Sequence, residues 1–213
     1  EDIPDIVFDL PNLKSFSYRE NYCEFFHEGF IKMTNLETLD LSNNQIEELP
    51  SFSHPLPLQS LDLSSNSISI IKKDISCLSL LQSLDLSLNS LQIVTSYLSS
   101  LSRLVSLNLS SNSIELIEPK IFESLTNIIQ LDLSSNSITD LPESLSCLSN
   151  LSKLNLSGNN ITTIPFLSRL SSLKILDISI NNFSDLSCLF PPPSSSSSES
   201  ESESESESSH QIS

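Results

Sequence analysis

The sequence contains only two glycines, Gly29 and Gly158, far apart. That scarcity excludes the phosphate-cradling loops, because GxGxxG and GxxxxGK[ST] both need several backbone positions free of Cβ. Basic residues are also few, 10 against 27 acidic ones, giving a formal net charge of −17 at pH 7. Such a chain repels polyanions wherever its acids are not locally neutralised, so no nucleic acid and no anionic membrane is expected as a partner. Tryptophan is absent and histidine occurs three times, at His27, His54 and His210, without an HExxH-type spacing. No metal site and no cofactor is therefore expected. None of the serines sits in a GxSxG turn, and bases to activate a nucleophile are scarce, so the chain reads as no enzyme with no small-molecule substrate. Long apolar runs are missing as well: none approaches the ~20 residues that cross a bilayer. The opening EDIPDIVFDL is acidic where a secretory signal is basic and then apolar.

What is present in excess is 50 serines and 38 leucines, a bias that points to repetition. The segments LETLDLSNNQI from Leu36, LQSLDLSSNSI from Leu58, LQSLDLSLNSL from Leu81 and LVSLNLSSNSI from Leu104 share one template. So do IIQLDLSSNSI from Ile128, LSKLNLSGNNI from Leu151 and LKILDISINNF from Leu173, and the steps are 22, 23, 23, 24, 23 and 22 residues. Stepping back 23 residues from Leu36 reaches LKSFSYRENYC at Leu13, a degenerate copy with Phe16, Tyr18 and Asn21 in place. Eight repeats thus start near 13, 36, 58, 81, 104, 128, 151 and 173.

The alternation LxL puts Leu61 and Leu63 on one side of a short strand and Asp62 on the other. Strands recurring every 22 to 24 residues need a return segment each time, which stacks them in parallel. The returns carry their own apolar column, Ile71, Val94, Ile117, Leu141, Ile164 and Leu186, with Leu78, Leu148 and Leu170 closing the turn. Asn21, Asn44, Asn66, Asn89, Asn112, Asn136, Asn159 and Asn181 form a further column where the chain turns inward. A buried turn strands backbone donors and acceptors, and an amide offers both kinds of partner, so this column is expected to be structural. The serines between the framework columns read as polar filler.

The template LxxLxLxxNxI resembles the leucine-rich repeat family, over residues 1–190. That resemblance implies an α/β fold: a right-handed solenoid, or horseshoe, with a parallel β-sheet on the concave face and irregular or short-helical convex returns. LPESLSCLSNL from Leu141 and IPFLSRLSSL from Ile164 are similar to the intracellular phosphatase-1-regulator and Ras-pathway scaffold subclasses. IEPKIFESLTN, from Ile117, resembles the more widespread 24-residue type.

Aligning IPDIVFDLPNL on LPESLSCLSNL places Ile3 on Leu141, Val7 on Leu145 and Leu10 on Leu148, so residues 1–12 read as a partial repeat. A start in mid-repeat suggests a piece of a longer protein. After Phe190 the chain runs into PPPSSSSSESESESESESSHQIS, and residues 191–213 are expected to be disordered. Ser198, Ser200, Ser202 and Ser204 each have a glutamate three positions on and resemble acidophilic casein-kinase-2-type phosphorylation sites.

Cys23 falls in the apolar column of Ile46, Ile68 and Ile114. Cys77 and Cys147 share a slot three repeats apart, at least about 14 Å at strand spacing and too far to bridge. Together with Cys188 they read as free thiols, which fit a reducing, cytoplasmic compartment better than a secreted one. The sequons at Asn108 and Asn160 arise readily in a serine-rich chain.

Stacked repeats present their strand face as the default binding surface. Its central column reads Ser17, Asp40, Asp62, Asp85, Asn108, Asp132, Asn155 and Asp177, small and acidic, which suits a protein partner with a basic surface. Lys153, Lys174, Ile175 and Ile180 break the monotony on the last two strands, and Leu88, Val105 and Ile129 in the middle. The aromatics Phe16, Tyr18, Tyr22, Phe25 and Phe26 offer a second candidate surface. The expected function is a monomeric, non-catalytic protein-protein interaction module, a scaffold or regulator in intracellular signalling. The alternative is the regulatory repeat region of a larger signalling enzyme, a kinase, phosphatase or cyclase; a receptor ectodomain would need a signal peptide and caps.

Overall fold

The computed structural model describes residues 3–49, 52, 54–164 and 166–184. The tail 191–213 with Ser198, Ser200, Ser202 and Ser204, and the positions Leu186, Cys188 and His210, lie outside the described residues. The strands in chain order are β1 (Ser15–Ser17), β2 (Thr38–Asp40), β3 (Ser60–Asp62), β4 (Ser83–Asp85) and β5 (Ile93–Val94). They continue with β6 (Ser106–Asn108), β7 (Leu116–Ile117), β8 (Gln130–Asp132), β9 (Lys153–Asn155) and β10 (Ile175–Asp177). One sheet has the order β1-β2-β3-β4-β6-β8-β9-β10, and all its pairs are parallel. β5 and β7 pair separately on the return side, with Ile93 opposite Leu116.

Each strand is in register with the next, so Leu39, Leu61, Leu84, Leu107, Leu131 and Leu154 form one row on the inner face. These leucines and their i+2 partners, from Leu41 to Leu156, are at most 1% exposed. Burying a leucine contributes about 1.5–3 kcal/mol, and the stacked rows make one continuous core. Ile71, Val94 and Ile164 complete it from the return side, while Leu141 is only half buried.

The helical part of the returns is 3₁₀, not α: Glu28–Lys32, Lys73–Leu78, Ser96–Ser100, Ile121–Glu123, Glu143–Cys147 and Leu167–Arg169. With six residues or fewer per turn, the tighter i→i+3 pattern closes the loop in the space available. A further 3₁₀ turn, Asp5–Asp9 after Pro4, occupies the register positions of Glu143–Cys147 after Pro142.

The Asn column joins repeat to repeat. Asn66 Nδ2 donates to Leu41 O of the preceding repeat and to Leu63 O of its own, both at 3.0 Å, while its Oδ1 accepts the Ile46 N–H at 2.9 Å. The same set recurs at Asn44, Asn89, Asn112, Asn136, Asn159 and Asn181. Asn21, in the first copy, donates to Tyr18 O and Arg19 O. Each inward bend also requires a left-handed residue directly before the asparagine: Glu20, Asn43, Ser65, Leu88, Ser111, Ser135, Gly158 and Ile180, with φ from 53° to 66°.

Two packing expectations need correction. Leu10 is 48% exposed, not buried as its alignment on Leu148 implied. The buried residue of that turn is Phe8, whose ring lies edge-on to Phe30 at 5.2 Å and stacked on His27 at 4.3 Å. Gly29 makes room for it, since a Cβ there would sit 2.5 Å from the ring. Phe26 is no surface aromatic: it is 5% exposed and packs edge-on against Phe30 and Phe52.

Candidate functional site

The outward residues of the eight strands form one continuous face. Its central column places Ser17, Asp40, Asp62, Asp85, Asn108, Asp132, Asn155 and Asp177 side by side in strand register. All but Ser17 hold a serine two residues on: Oδ1 of Asp62 accepts both the Ser64 N–H at 2.9 Å and the Ser64 hydroxyl at 2.7 Å. The pairs Asp40–Ser42, Asp85–Ser87, Asn108–Ser110, Asp132–Ser134, Asn155–Ser157 and Asp177–Ser179 repeat it. The serines beside the column are therefore not filler. They tie one oxygen of each carboxylate into an Asx turn that bends the chain off its strand.

The other oxygens differ along the face. Asp40 Oδ2 accepts the Ser17 hydroxyl at 3.1 Å, Asp85 Oδ2 the Asn108 amide at 2.9 Å, and Asp132 Oδ2 the Asn155 amide at 3.1 Å. Asn108 and Asn155 thus separate Asp85, Asp132 and Asp177 from one another. Asp40, Asp62 and Asp85 stand on three consecutive strands with no asparagine between them, and among the described residues Asp62 Oδ2 receives no hydrogen bond.

Burial alone would raise the Asp40 pKa. The Ser42 hydroxyl and N–H, the Ser17 hydroxyl and the nearby Arg19 charge outweigh it and hold the carboxyl below its ordinary value. The Ser179 hydroxyl and N–H hold the exposed Asp177 low in the same way. Both stay ionised wherever the protein is folded near neutral pH.

Toward the middle of the sheet a shallow cavity of about 210 Å³ is lined by Asp85, Ser106, Asn108, Gln130, Asp132 and Lys153. Beside it, at the entry to the strands, Gln82, Arg103, Val105, Asn127, Ile129 and Asn150 line one of about 430 Å³. Asn127 and Asn150, like Asn35, donate to a carbonyl of the preceding repeat, at Ser102, Thr126 and Pro11 respectively, a second amide ladder. Leu88, Ile129, Ile175 and Ile180 are exposed, by 41% to 83%, and Val105 is half buried. Lys153 and Lys174 are exposed on the last two repeats. Of the first-repeat aromatics, Tyr22 and Phe25 are open to solvent, and Phe16 stacks on Tyr18 at 6.3 Å.

The two described histidines serve the backbone. His27 Nδ1 accepts the Gly29 N–H and caps a 3₁₀ turn, beside a 530 Å³ depression with Asp5, Phe8 and Lys32, while His54 Nε2 faces Ile31 O at 3.0 Å. Cys23 is buried, with its Sγ donating to Phe25 O at 3.0 Å, while Cys77, half buried, and Cys147, exposed, are free thiols. Among the described residues no group of three or more His, Cys, Asp or Glu could hold a metal ion, and no helix is long and apolar enough to cross a membrane.

A register of parallel three-residue strands with an asparagine ladder behind it defines a leucine-rich repeat solenoid. The sequence families described as leucine rich repeat match residues 102–161, 35–55 and 57–78, and leucine rich repeats in two copies match 149–191. The chain belongs to the leucine-rich repeat family, whose fold is a protein-interaction module. It is 44% identical over 69 residues to Toll-like receptor 9 of Mus musculus, covering 30% of this chain and 7% of the receptor. Among solved structures it is similar to a plant peptide hormone receptor, RGFR1, in complex with RGF2, at 29% identity with a TM-score of 0.74, covering 84% of this chain and 30% of that one. It is also similar to a TLR13–ssRNA13 complex, at 33% identity with a TM-score of 0.73, covering 79% of this chain and 26% of that one. The chain therefore spans less than a third of the length of these relatives.

Proposed function

We propose that this chain is a monomeric, non-catalytic docking module, a scaffold or regulator in intracellular signalling, that holds the basic surface of a protein partner on its concave face. The observation that carries this reading is the run Asp40, Asp62 and Asp85 on consecutive strands, with Asp62 Oδ2 left without a donor among the described residues. A lysine or arginine from a partner relieves that repulsion, and the long-range field of the column speeds encounter. The same field disfavours a polyanion, so the similarity to a peptide hormone receptor supports the choice of partner better than the similarity to an RNA complex does. The free thiols Cys77 and Cys147 support an intracellular setting, and a glycan on Asn108 or Asn160 in native material would overturn it.

Asn108 and Asn155 make the same Asx turns as the aspartates, so Asp→Asn removes charge and keeps the turn. The test is therefore affinity capture with the triple variant Asp62→Asn, Asp85→Asn, Asp132→Asn. Capture falls several-fold and loses its salt dependence if the column docks the partner; unchanged capture removes the column from the account.

A further inference from the structure

Four of the 10 basic side chains neutralise a neighbouring carboxylate: Lys14 with Glu37, Arg19 with Glu20, Lys72 with Glu48 and Arg169 with Glu143. Among the six that pair with no described carboxylate, only Lys153 and Lys174 lie in or directly beside a strand of the large sheet, one opening β9 and the other immediately before β10. They sit in adjacent repeats, with Lys153 in register with Ile175 and the Lys174 N–H bonded to Ser152 O. Among the described residues, neither of these two exposed lysines pairs with a carboxylate. Of the nearest column carboxylates, Asp132 is held through both oxygens by Ser134 and Asn155, and the ionised Asp177 through Oδ1 alone by Ser179. The concave face therefore has an acidic pole around Asp62 and, beside the ionised Asp177, two lysine ammoniums at Lys153 and Lys174 that form its basic pole.

From β3 to β9 the sheet advances four strands, β4, β6, β8 and β9. At ~4.8 Å per strand that is about 19 Å, which an extended peptide covers in about six residues at ~3.3 Å each. We infer that the occupant of this face is an extended peptide segment with charge at both ends: a lysine or arginine over Asp62, and a carboxylate about six residues away, at Lys153 and Lys174. This rests on the docking reading above and narrows it. A uniformly basic segment would meet like charge at the two lysines, and a polarised segment laid the other way would meet it at both poles. Two opposite poles thus set register and direction as well as attraction.

The test selects random 12-residue peptides displayed on phage against the full chain at low salt, then measures selected peptides by fluorescence anisotropy. Selected sequences carry a basic and an acidic residue about six positions apart in one fixed order. The variant Lys153→Ser/Lys174→Ser binds them about five- to tenfold more weakly and selects for the basic residue alone, whereas Asp62→Asn selects for the acidic residue alone. Purely basic peptides selected equally by wild type and the lysine variant would overturn the two-pole reading and leave the acidic docking face standing. Selection that yields no peptide, or peptides indifferent to both variants, overturns the two readings together.

Discussion

Asn159 Oδ1 accepts the Ile138 N–H at 3.0 Å, and Asn159 Nδ2 reaches Leu133 O at 2.9 Å and Leu156 O at 3.0 Å. One buried side chain therefore satisfies backbone groups on both sides of a repeat boundary. Asn159→Ala strands those groups and is expected to cost about 2–4 kcal/mol in urea unfolding. Asn21→Ala, which loses only bonds to Tyr18 O and Arg19 O, should cost far less. Equal costs would show that the bridging between repeats contributes nothing of its own.

Leu88 and Ile180 hold φ at 54° and 53°, where an L-residue with a bulky side chain is strained by about 1–2 kcal/mol. Asparagine already serves that position at Asn43. Leu88→Asn is expected to raise the urea midpoint by an amount worth about 0.5–1 kcal/mol. A lowered midpoint would mean that Leu88 earns its place by packing, despite being 56% exposed.

Gly29 lies against the Phe8 ring, where a Cβ would approach to 2.5 Å. Gly29→Ala should displace Phe8 and destabilise the first repeats by about 1–3 kcal/mol. Hydrogen exchange locates the effect: protection is lost around Asp5–Lys32 and kept around β8 and β9. Loss spread evenly along the chain would contradict a local clash.

Asp40 is held below its ordinary pKa in the folded state, so the folded protein binds fewer protons there than the unfolded chain. The associated stability is complete above the unfolded value of about 3.9 and is lost as pH falls through the lower folded value. Ser42→Ala removes the hydroxyl that holds Asp40 Oδ1 at 2.7 Å. Its stability gap to wild type should be open at pH 6 and narrow below pH 4; a gap independent of pH would show that the hydroxyl does not select the charged form.

The strands, their order and the asparagine column were legible because LxL alternation and a buried amide each encode one geometric fact per repeat. The left-handed position was not, because Glu20, Ser65, Leu88 and Ile180 share no chemistry with Gly158 or Asn43 that would mark it. The Asp-x-Ser spacing did carry a signal, since an Asx turn needs an acceptor side chain and an N–H two residues on. It is obscured by a chain in which serine is everywhere. Leu10 was misplaced because alignment follows spacing and packing follows volume: the turn buries the Phe8 ring against Phe30 and leaves Leu10 exposed. The separation of the acidic and basic poles is visible only once β3 and β9 are ordered in one sheet.

The claim that the strand face is the docking surface is tested most directly by position-specific photo-crosslinking in native extract. One crosslinker replaces Ser106, in the middle of the large sheet, and another replaces the exposed Ser76 in a convex return. The account predicts that the Ser106 probe joins a discrete protein partner, that the charge-removing variant Asp62→Asn, Asp85→Asn, Asp132→Asn weakens that joining, and that the Ser76 probe captures nothing specific. A partner joined from Ser76 and not from Ser106 would contradict it.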